Sequence, residues 1–387
     1  FGNQIFGNVD VSSPIYDMTW DGGDVTATVK SASDIAQQNN ISDDAARTVA
    51  GVASSSSAPL NELSVLIQNS LSTGTESARA DVERAVMAIN PETESVSQSV
   101  GMGIQQSLTT VAAERMGLTA MGRSGGDVRM MPGGIWGHGL YNKSKQNNAF
   151  NAYTRGISAG VDGIFNEVLT LGVGYMFGHS DIGAVARNTE IDSHSVFVYG
   201  QYKPSNWYMN AVMNYTTSDY SERGSALGLD VSSDYTMDAF GANVAFGYDF
   251  IGGITPEVSL RYIYLDSVNY ANSMGVRNKI DSSDYLTAAI GTRYGFDLLL
   301  NNGWVLRPAM RYALKYDLLS DDNRVTVAIP GVNAYSLTGD RLSRIANEVG
   351  LELGMMYGPL NMALSYDIEA RADYTSQTGR VKFRYEF

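Results

Sequence analysis

The chain has no cysteine among its 387 residues. A disulfide framework and a thiolate metal site are both excluded. Histidine is nearly as scarce: only His138, His179 and His194 occur, and none forms an H-x-x-x-H spacing. Apolar residues make up 44% of the chain, yet no run approaches the roughly 18 consecutive apolar residues of a membrane helix. Positive charge is in deficit, with 27 Lys and Arg against 41 Asp and Glu and a formal charge of −14. An acidic chain repels a phosphate backbone, so no nucleic-acid partner is expected. No glycine-rich loop follows a strand and opens a helix, as a phosphate cradle would. Gly339-Asp340-Arg341-Leu342-Ser343 superficially suggests a hydrolase motif but lacks the strand–turn–helix context. Asp321-Asp322 is expected to be a solvated loop pair. We therefore assign no catalytic, cofactor or metal site and expect no enzyme. The chain opens at Phe1 without a secretory leader pattern, so an exported protein would be represented here by a mature or truncated piece.

What the chain has in quantity is two-residue alternation. At the C-terminus Val381, Phe383, Tyr385 and Phe387 point one way, and Arg380, Lys382, Arg384 and Glu386 the other. A soluble edge strand seldom exposes a row of aromatics, because that invites aggregation. In an outer-membrane barrel the same pattern is natural, apolar toward lipid and charged toward the lumen. From residue 133 onward twelve strand-like segments are expected, centred on 136–141, 156–165, 168–177, 193–202, 207–215, 238–248, 255–264, 285–298, 304–316, 347–357, 360–371 and 379–387. Many have the roughly 9–11 residues of a tilted spanning strand. Short connections (166–167, 204–206, 249–253, 301–303, 358–359) alternate with longer ones (142–148, 181–189, 218–231, 266–284, 319–340, 372–378). Outer-membrane barrels have short periplasmic turns and longer external loops. The polar faces of the later strands would line the lumen with Arg307, Arg311, Lys315, Glu348, Glu352, Asp367, Glu369 and Arg380.

The first third is different. Residues 1–30 look β-like, with a hairpin over 15–20 and 25–29 about Asp21-Gly22-Gly23-Asp24. A hairpin this short is not stable alone, so it reads as the end of something larger. Residues 31–90 read either as a helical linker region or as a loosely structured connector. Val82, Ala85, Val86 and Ile89 keep helical spacing, Leu63, Leu66, Ile67 and Leu71 nearly so, and 43–52 is a weaker helix. A helix is expected over 91–118, with Asn90 as N-cap and Pro91 at its first position. Serine, threonine, glycine and glutamine dominate it, a composition suited either to a narrow polar tunnel or to an exposed connector. A glycine-rich spacer, 119–132, leads to the barrel at 133–387.

An even strand number leaves both barrel ends on the short-turn side. If residues 1–90 lie outside the cell, the chain must cross the pore, and a helix over 91–117 would span about 40 Å at 1.5 Å per residue.

At this point the chain resembles the C-terminal translocator region of an autotransporter, the type V secretion family. The resemblance rests on the hairpin at 15–29, on Ala88-Ile89-Asn90-Pro91-Glu92 leading into the last helix, on Thr154-Arg155-Gly156-Ile157-Ser158-Ala159-Gly160-Val161-Asp162-Gly163 as second barrel strand, and on terminal Phe383, Tyr385 and Phe387. It implies a transmembrane twelve-stranded antiparallel barrel in the Gram-negative outer membrane, a helix threading the pore, and a passenger exported and anchored at the cell surface. It also implies that Phe383, Tyr385 and Phe387 are the signal read by the barrel assembly machinery, that periplasmic chaperones are partners, and that the barrel is monomeric. Some members cut themselves at an asparagine in the pore helix. Residues 92–118 hold no Asn or Asp, so that cleavage is not expected here. Two other readings stay open: a passive pore with a periplasmic N-terminal region, and an outer-membrane barrel enzyme.

Overall fold

The computed structural model describes residues 13–20, 24–90, 101–111 and 133–387, apart from 148, 302, 323, 340 and 341. The chain opens with a hairpin, β1 (Tyr16–Trp20) and β2 (Val25–Val29), followed by helices α1 (Ala32–Asn39), α2 (Asp43–Ser54), α3 (Ala58–Ser72) and α4 (Glu76–Ile89). Residues 101–111 are helical and are called α5. Strands then follow without interruption: β3 (Gly133–Gln146), β4 (Phe150–Phe165), β5 (Leu169–Ala184), β6 (Arg187–Tyr202), β7 (Trp207–Ala226), β8 (Leu229–Tyr248) and β9 (Ile254–Leu265). Short strands β10 (Val268–Ala271) and β11 (Arg277–Ile280) precede β12 (Ser283–Gly295), β13 (Leu298–Leu299) and β14 (Val305–Ser320). The chain ends with β15 (Arg324–Ala328), β16 (Tyr335–Thr338), β17 (Ile345–Tyr357), β18 (Leu360–Ala370) and β19 (Tyr374–Glu386).

Twelve of these strands close into an antiparallel barrel in the order β3-β4-β5-β6-β7-β8-β9-β12-β14-β17-β18-β19, with β19 pairing back onto β3. Closure gives each backbone N–H and C=O a partner where no water is at hand. Burial alternates residue by residue along the strands, most cleanly in β6. The outward face is apolar and the inward face polar, so the usual sidedness of a soluble protein is inverted. Tyr385 and Phe387, Tyr202, Trp207, Tyr248 and Tyr357 form one aromatic girdle, and Tyr141, Tyr175, Tyr215, Tyr316 and Tyr366 form a second, higher one. No described helix is long and apolar enough to cross a membrane; the strands cross it. Phe387 N–H donates to the Gly133 carbonyl at 3.1 Å, so both barrel termini sit at the short-turn end. There Asn166 and Glu167 both take positive φ, 48° and 63°, in the tight three-residue turn between β4 and β5.

At the opposite end the chain is more ordered than the sequence suggested. The stretches 181–189 and 218–231, expected as loops, are mostly strand. The β7–β8 hairpin pairs out to Ala226 and Leu229 and turns at Leu227-Gly228 with φ of 51° and 92°. The expected loops 142–148 and 372–378 likewise belong largely to β3 and β19. The stretches 266–284 and 319–340 together supply an outer four-stranded sheet, β10-β11-β15-β16. These segments stand above the bilayer with water on at least one face, so a lipid-type alternation is not imposed on them. The expected segment 285–298 ends earlier, at Gly295, with Leu298–Leu299 as a separate short strand.

Helices α1–α4 form a packed module on that outer sheet. Ser31, Ser42 and Thr75 cap α1, α2 and α4 by accepting backbone N–H bonds. Ile35, Val49, Leu63, Ile67, Val82 and Val86 are buried in one core, which continues into Val325, Val327 and Ile329 of the outer sheet. Residues 31–90 are thus not a loose connector. Ile15 is fully buried and Tyr16 Oη lies 2.9 Å from Ser64 Oγ, so the hairpin rests on the same module. Asn90 is the C-cap of α4, with its side-chain amide donating to Thr48 Oγ1 at 3.0 Å. Its expected service as N-cap of the next helix, the ends of that helix at 91 and 118, and the spacer 119–132 lie outside the described residues.

Candidate functional site: the occupied barrel lumen

The lumen holds α5. Its composition is explained by how its polar groups are satisfied. Ser107, Thr109 and Thr110 turn their hydroxyls back onto the carbonyls of Gly103, Gln105 and Gln106, at 2.8, 3.0 and 2.8 Å. Small side chains that bond their own helix keep it slim. Ile104, Leu108 and Val111 are buried, and Ile104 lies beside Met237, Ala239 and Leu265 of the wall. Two amides tie the helix to opposite sides of the barrel. Gln105 Nε2 donates to Thr216 Oγ1 at 2.8 Å on β7. Gln106 Nε2 donates to Glu369 Oε2 at 2.7 Å on β18 and to Glu348 Oε2 at 3.3 Å on β17.

Those two carboxylates belong to a charge network across β14, β17, β18 and β19. Lys315 pairs with Glu369 at 2.8 Å and also with Glu348. Arg311 bridges Glu348 at 3.0 Å and Asp367 at 2.8 Å. Arg380 pairs with Asp367, and Lys382 with Glu352. Arg371, on the connection after β18, holds Glu369 at 3.1 Å and Asp317 at 2.5 Å. Arg307 sits apart from this cluster, held by Asp297 at 2.6 Å near the short-turn end. All eight charged residues singled out from the sequence point inward; six of them share one network with Arg371, and Glu352 pairs with Lys382 beside it. Isolated charges in a low-dielectric wall would cost several kcal/mol each, and pairing with near-complete hydrogen bonding offsets that cost. A cavity of about 170 Å³ remains beside this network, bordered by Thr109, Thr110, Arg261, Arg311 and Lys315.

Sequence reasoning missed Gln105, Gln106 and Lys382 as contact residues. The alternation had already put Lys382 on the inward face, but a glutamine on a helix gives no sign of which wall it meets. It also missed the wall nearer the short-turn end, where Trp136 Nε1 donates to Tyr199 Oη at 2.7 Å and Tyr199 donates to Asp162 at 2.8 Å. Arg384 pairs with the same Asp162 at 3.2 Å. Gly160 makes room for this group: a Cβ there would stand 2.3 Å from the Trp136 ring. Of the histidines, His138 faces the lumen, while His179 and His194 face outward. His179 bonds Asp192 at 2.7 Å, and His194 lies 2.6 Å from Tyr175 Oη. Phe383, Tyr385 and Phe387 are exposed on the lipid-facing side of β19.

The helical module covers the barrel's outer mouth through specific contacts. Arg187, almost fully buried, pairs with Glu222 at 3.1 Å and donates to the carbonyls of Met87 and, at 2.5 Å, Asn90 at the end of α4. A cation at the C-terminal carbonyls of a helix meets both its dipole and its unsatisfied acceptors. Asn272 donates to the Ile89 carbonyl at 2.9 Å, and Tyr335 Oη lies 2.7 Å from Thr48 Oγ1.

A family model described as the autotransporter beta-domain matches residues 133–367. Outer membrane protein B of Rickettsia typhi is 23% identical over 283 residues, 66% of this chain and 17% of that protein. The chain spans about a fifth or less of the length of the curated relatives it matches. The translocator domain of the autotransporter NalP from Neisseria meningitidis shares the fold with a TM-score of 0.58 at 17% identity, over 78% of this chain and 99% of that one. The β domain of the Bordetella autotransporter BrkA does so with a TM-score of 0.50 at 16% identity, over 66% of this chain and all of that one.

Proposed function

The chain belongs to the autotransporter beta-domain family, and from that premise we propose that it exports and surface-anchors the passenger of which β1–β2 is the last piece. The barrel lies in the outer membrane of a Gram-negative bacterium. The observation that carries the reading is the position of α5. It occupies the lumen, while the helical module that precedes it in sequence sits at the mouth opposite the two barrel termini. A chain that enters the barrel wall from the short-turn side at Gly133 and has its earlier residues at the other mouth has passed through the pore.

In this reading the lumen charges line the path and then lock the last helix in it. Gln106 on Glu369 and Glu348 is the lock. The helical module folds only outside, because four packed helices do not fit a lumen that one helix already occupies, and once folded it bars return. Folding at the surface would supply the drive, with no nucleotide at that membrane. Phe383, Tyr385 and Phe387 act as the signal for the barrel assembly machinery, with periplasmic chaperones holding the unfolded chain beforehand, and the barrel works as a monomer. The reading gives the chain no enzymatic step.

The test is a protease-sensitive reporter fused, behind a secretory signal, to Phe1. Cleavage in intact Gram-negative cells is the expected result. Protection until the cells are permeabilised would refute export and leave a plain pore with a periplasmic N-terminal region.

A further inference from the structure

Outward-facing charge above the upper tyrosine girdle is divided between two halves of the barrel. β5, β6, β7, β8 and β12 present Asp181, Asp192, Asp219, Asp238 and Asp284, and the outward cation among them, Arg223 on β7, is paired with Asp234 at 3.1 Å. The outward faces of β14, β17, β18 and β19 carry no charge at all. β3 and β4, next in the ring, present Lys143, Lys145 and Arg155. In a chain of formal charge −14, this cationic sector is an exception that the overall composition does not produce.

The three cations form one face. Tyr141 pairs across to Arg155 and Lys143 to Tyr153, with Lys145 one pleat further out. Diagonal neighbours on an antiparallel pair are roughly 7–8 Å apart, within reach of two long side chains closing on one group. Lys143 Nζ stands 5.7 Å from the Tyr153 ring centroid, held by the aromatic face and not by a carboxylate. Neither Lys143 nor Lys145 has an ion-pair partner among the described residues. Arg155 gives one N–H to Asp181 at 2.9 Å, and its side chain stays 65% exposed, leaving most of its five donors free. Exposed Tyr141 marks the interface, so the lysines emerge at headgroup depth, where basic side chains next to an apolar belt meet lipid anions.

We propose that the Lys143–Lys145–Arg155 face binds a phosphate group of an anionic glycolipid in the outer leaflet. The acidic half of the rim would repel the same headgroup, so lipid contact is one-sided and fixes which side of the barrel faces the phosphorylated lipid. The proposal rests on the orientation with the helical module outside.

The probe pair is diphosphorylated lipid A and the same lipid enzymatically dephosphorylated, titrated against the full chain in neutral-detergent micelles. Wild type should prefer the phosphorylated form about tenfold or more. Lys143→Gln with Lys145→Gln should remove that preference and leave binding of the dephosphorylated lipid unchanged. Lys279→Gln, on β11 and already paired with Asp281, should behave as wild type. Heat-dependent gel migration verifies that each barrel is closed, and Lys145→Gln alone replaces the double variant if that one does not close. Equal binding of the two lipids by wild type, or a preference retained by the lysine variants, overturns the proposal. The N-terminal reporter is scored separately on wild type. A protected reporter would signal failure of the orientation, and equal binding of both lipids would signal failure of the lipid site.

Discussion

Replacing Gln106 with alanine should unlock the pore. The side chain donates one bond of 2.7 Å to Glu369 and one of 3.3 Å to Glu348. A hydrogen bond to a charged group contributes about 1.5–3 kcal/mol. The second contact is long and geometrically weaker, so about 2 kcal/mol is a fair figure for the loss. Lys315 continues to neutralise both carboxylates in the variant, which keeps the barrel wall intact and confines the effect to the helix. At about 1.4 kcal/mol per tenfold, the open fraction of the lumen should rise about 30-fold. Single-channel recording in planar bilayers measures this directly, as the fraction of time in the conducting state. Asn69→Ala, on the exposed α3 surface outside the barrel, is the control. Gln106→Ala closed as often as wild type would refute the lock, and equal opening by the control would show that the signal is general instability.

Other perturbations probe the same architecture. Lys315→Ala leaves Glu348 and Glu369 each with one remaining cation, and should destabilise the barrel by about 3 kcal/mol in urea-dependent gel migration; adding Glu369→Gln should recover part of that loss. Arg187→Ala strands buried Glu222 and frees the α4 carbonyls, so limited proteolysis should cut within residues 55–57 at least tenfold faster while the barrel stays closed. Burial holds the Tyr335 phenol up at about 12. Because the unfolded phenol titrates near 10, docking of the helical module should be fully stable below about pH 10 and weaken as pH rises toward 12. Tyr335→Phe should show a smaller loss over that window, measured by the same proteolysis. Deleting Phe387 should reduce assembled barrel in the outer membrane severalfold, whereas Ser336→Ala in the outer sheet should not; equal assembly would count against the terminal signal.

Within the bilayer nearly everything was legible. A strand there has lipid on one side and a polar lumen on the other, so Met209, Ala211, Met213 and Tyr215 had to oppose Asn210 and Asn214, and they do. Above the bilayer that constraint ends. Thr189, Glu222 and Ser233 are polar and buried, with no periodic signal to mark them as strand interior. Val325-Thr326-Val327-Ala328-Ile329 did carry an alternating pattern that could have announced β15. It was masked by surrounding residues typical of loops.

Sequence by itself determined the twelve crossings, their sidedness, and the inward face of Arg311, Lys315, Glu348, Asp367 and Glu369. Each follows from a local period matched to a solvent. Only the tertiary structure decided that those helices share one core with strands some 240 residues later in the chain, that Arg187 closes α4, and that Gln106 finds Glu369. Such contacts depend on which distant surfaces the closed barrel brings together, and a period of two or 3.6 residues carries no information about that.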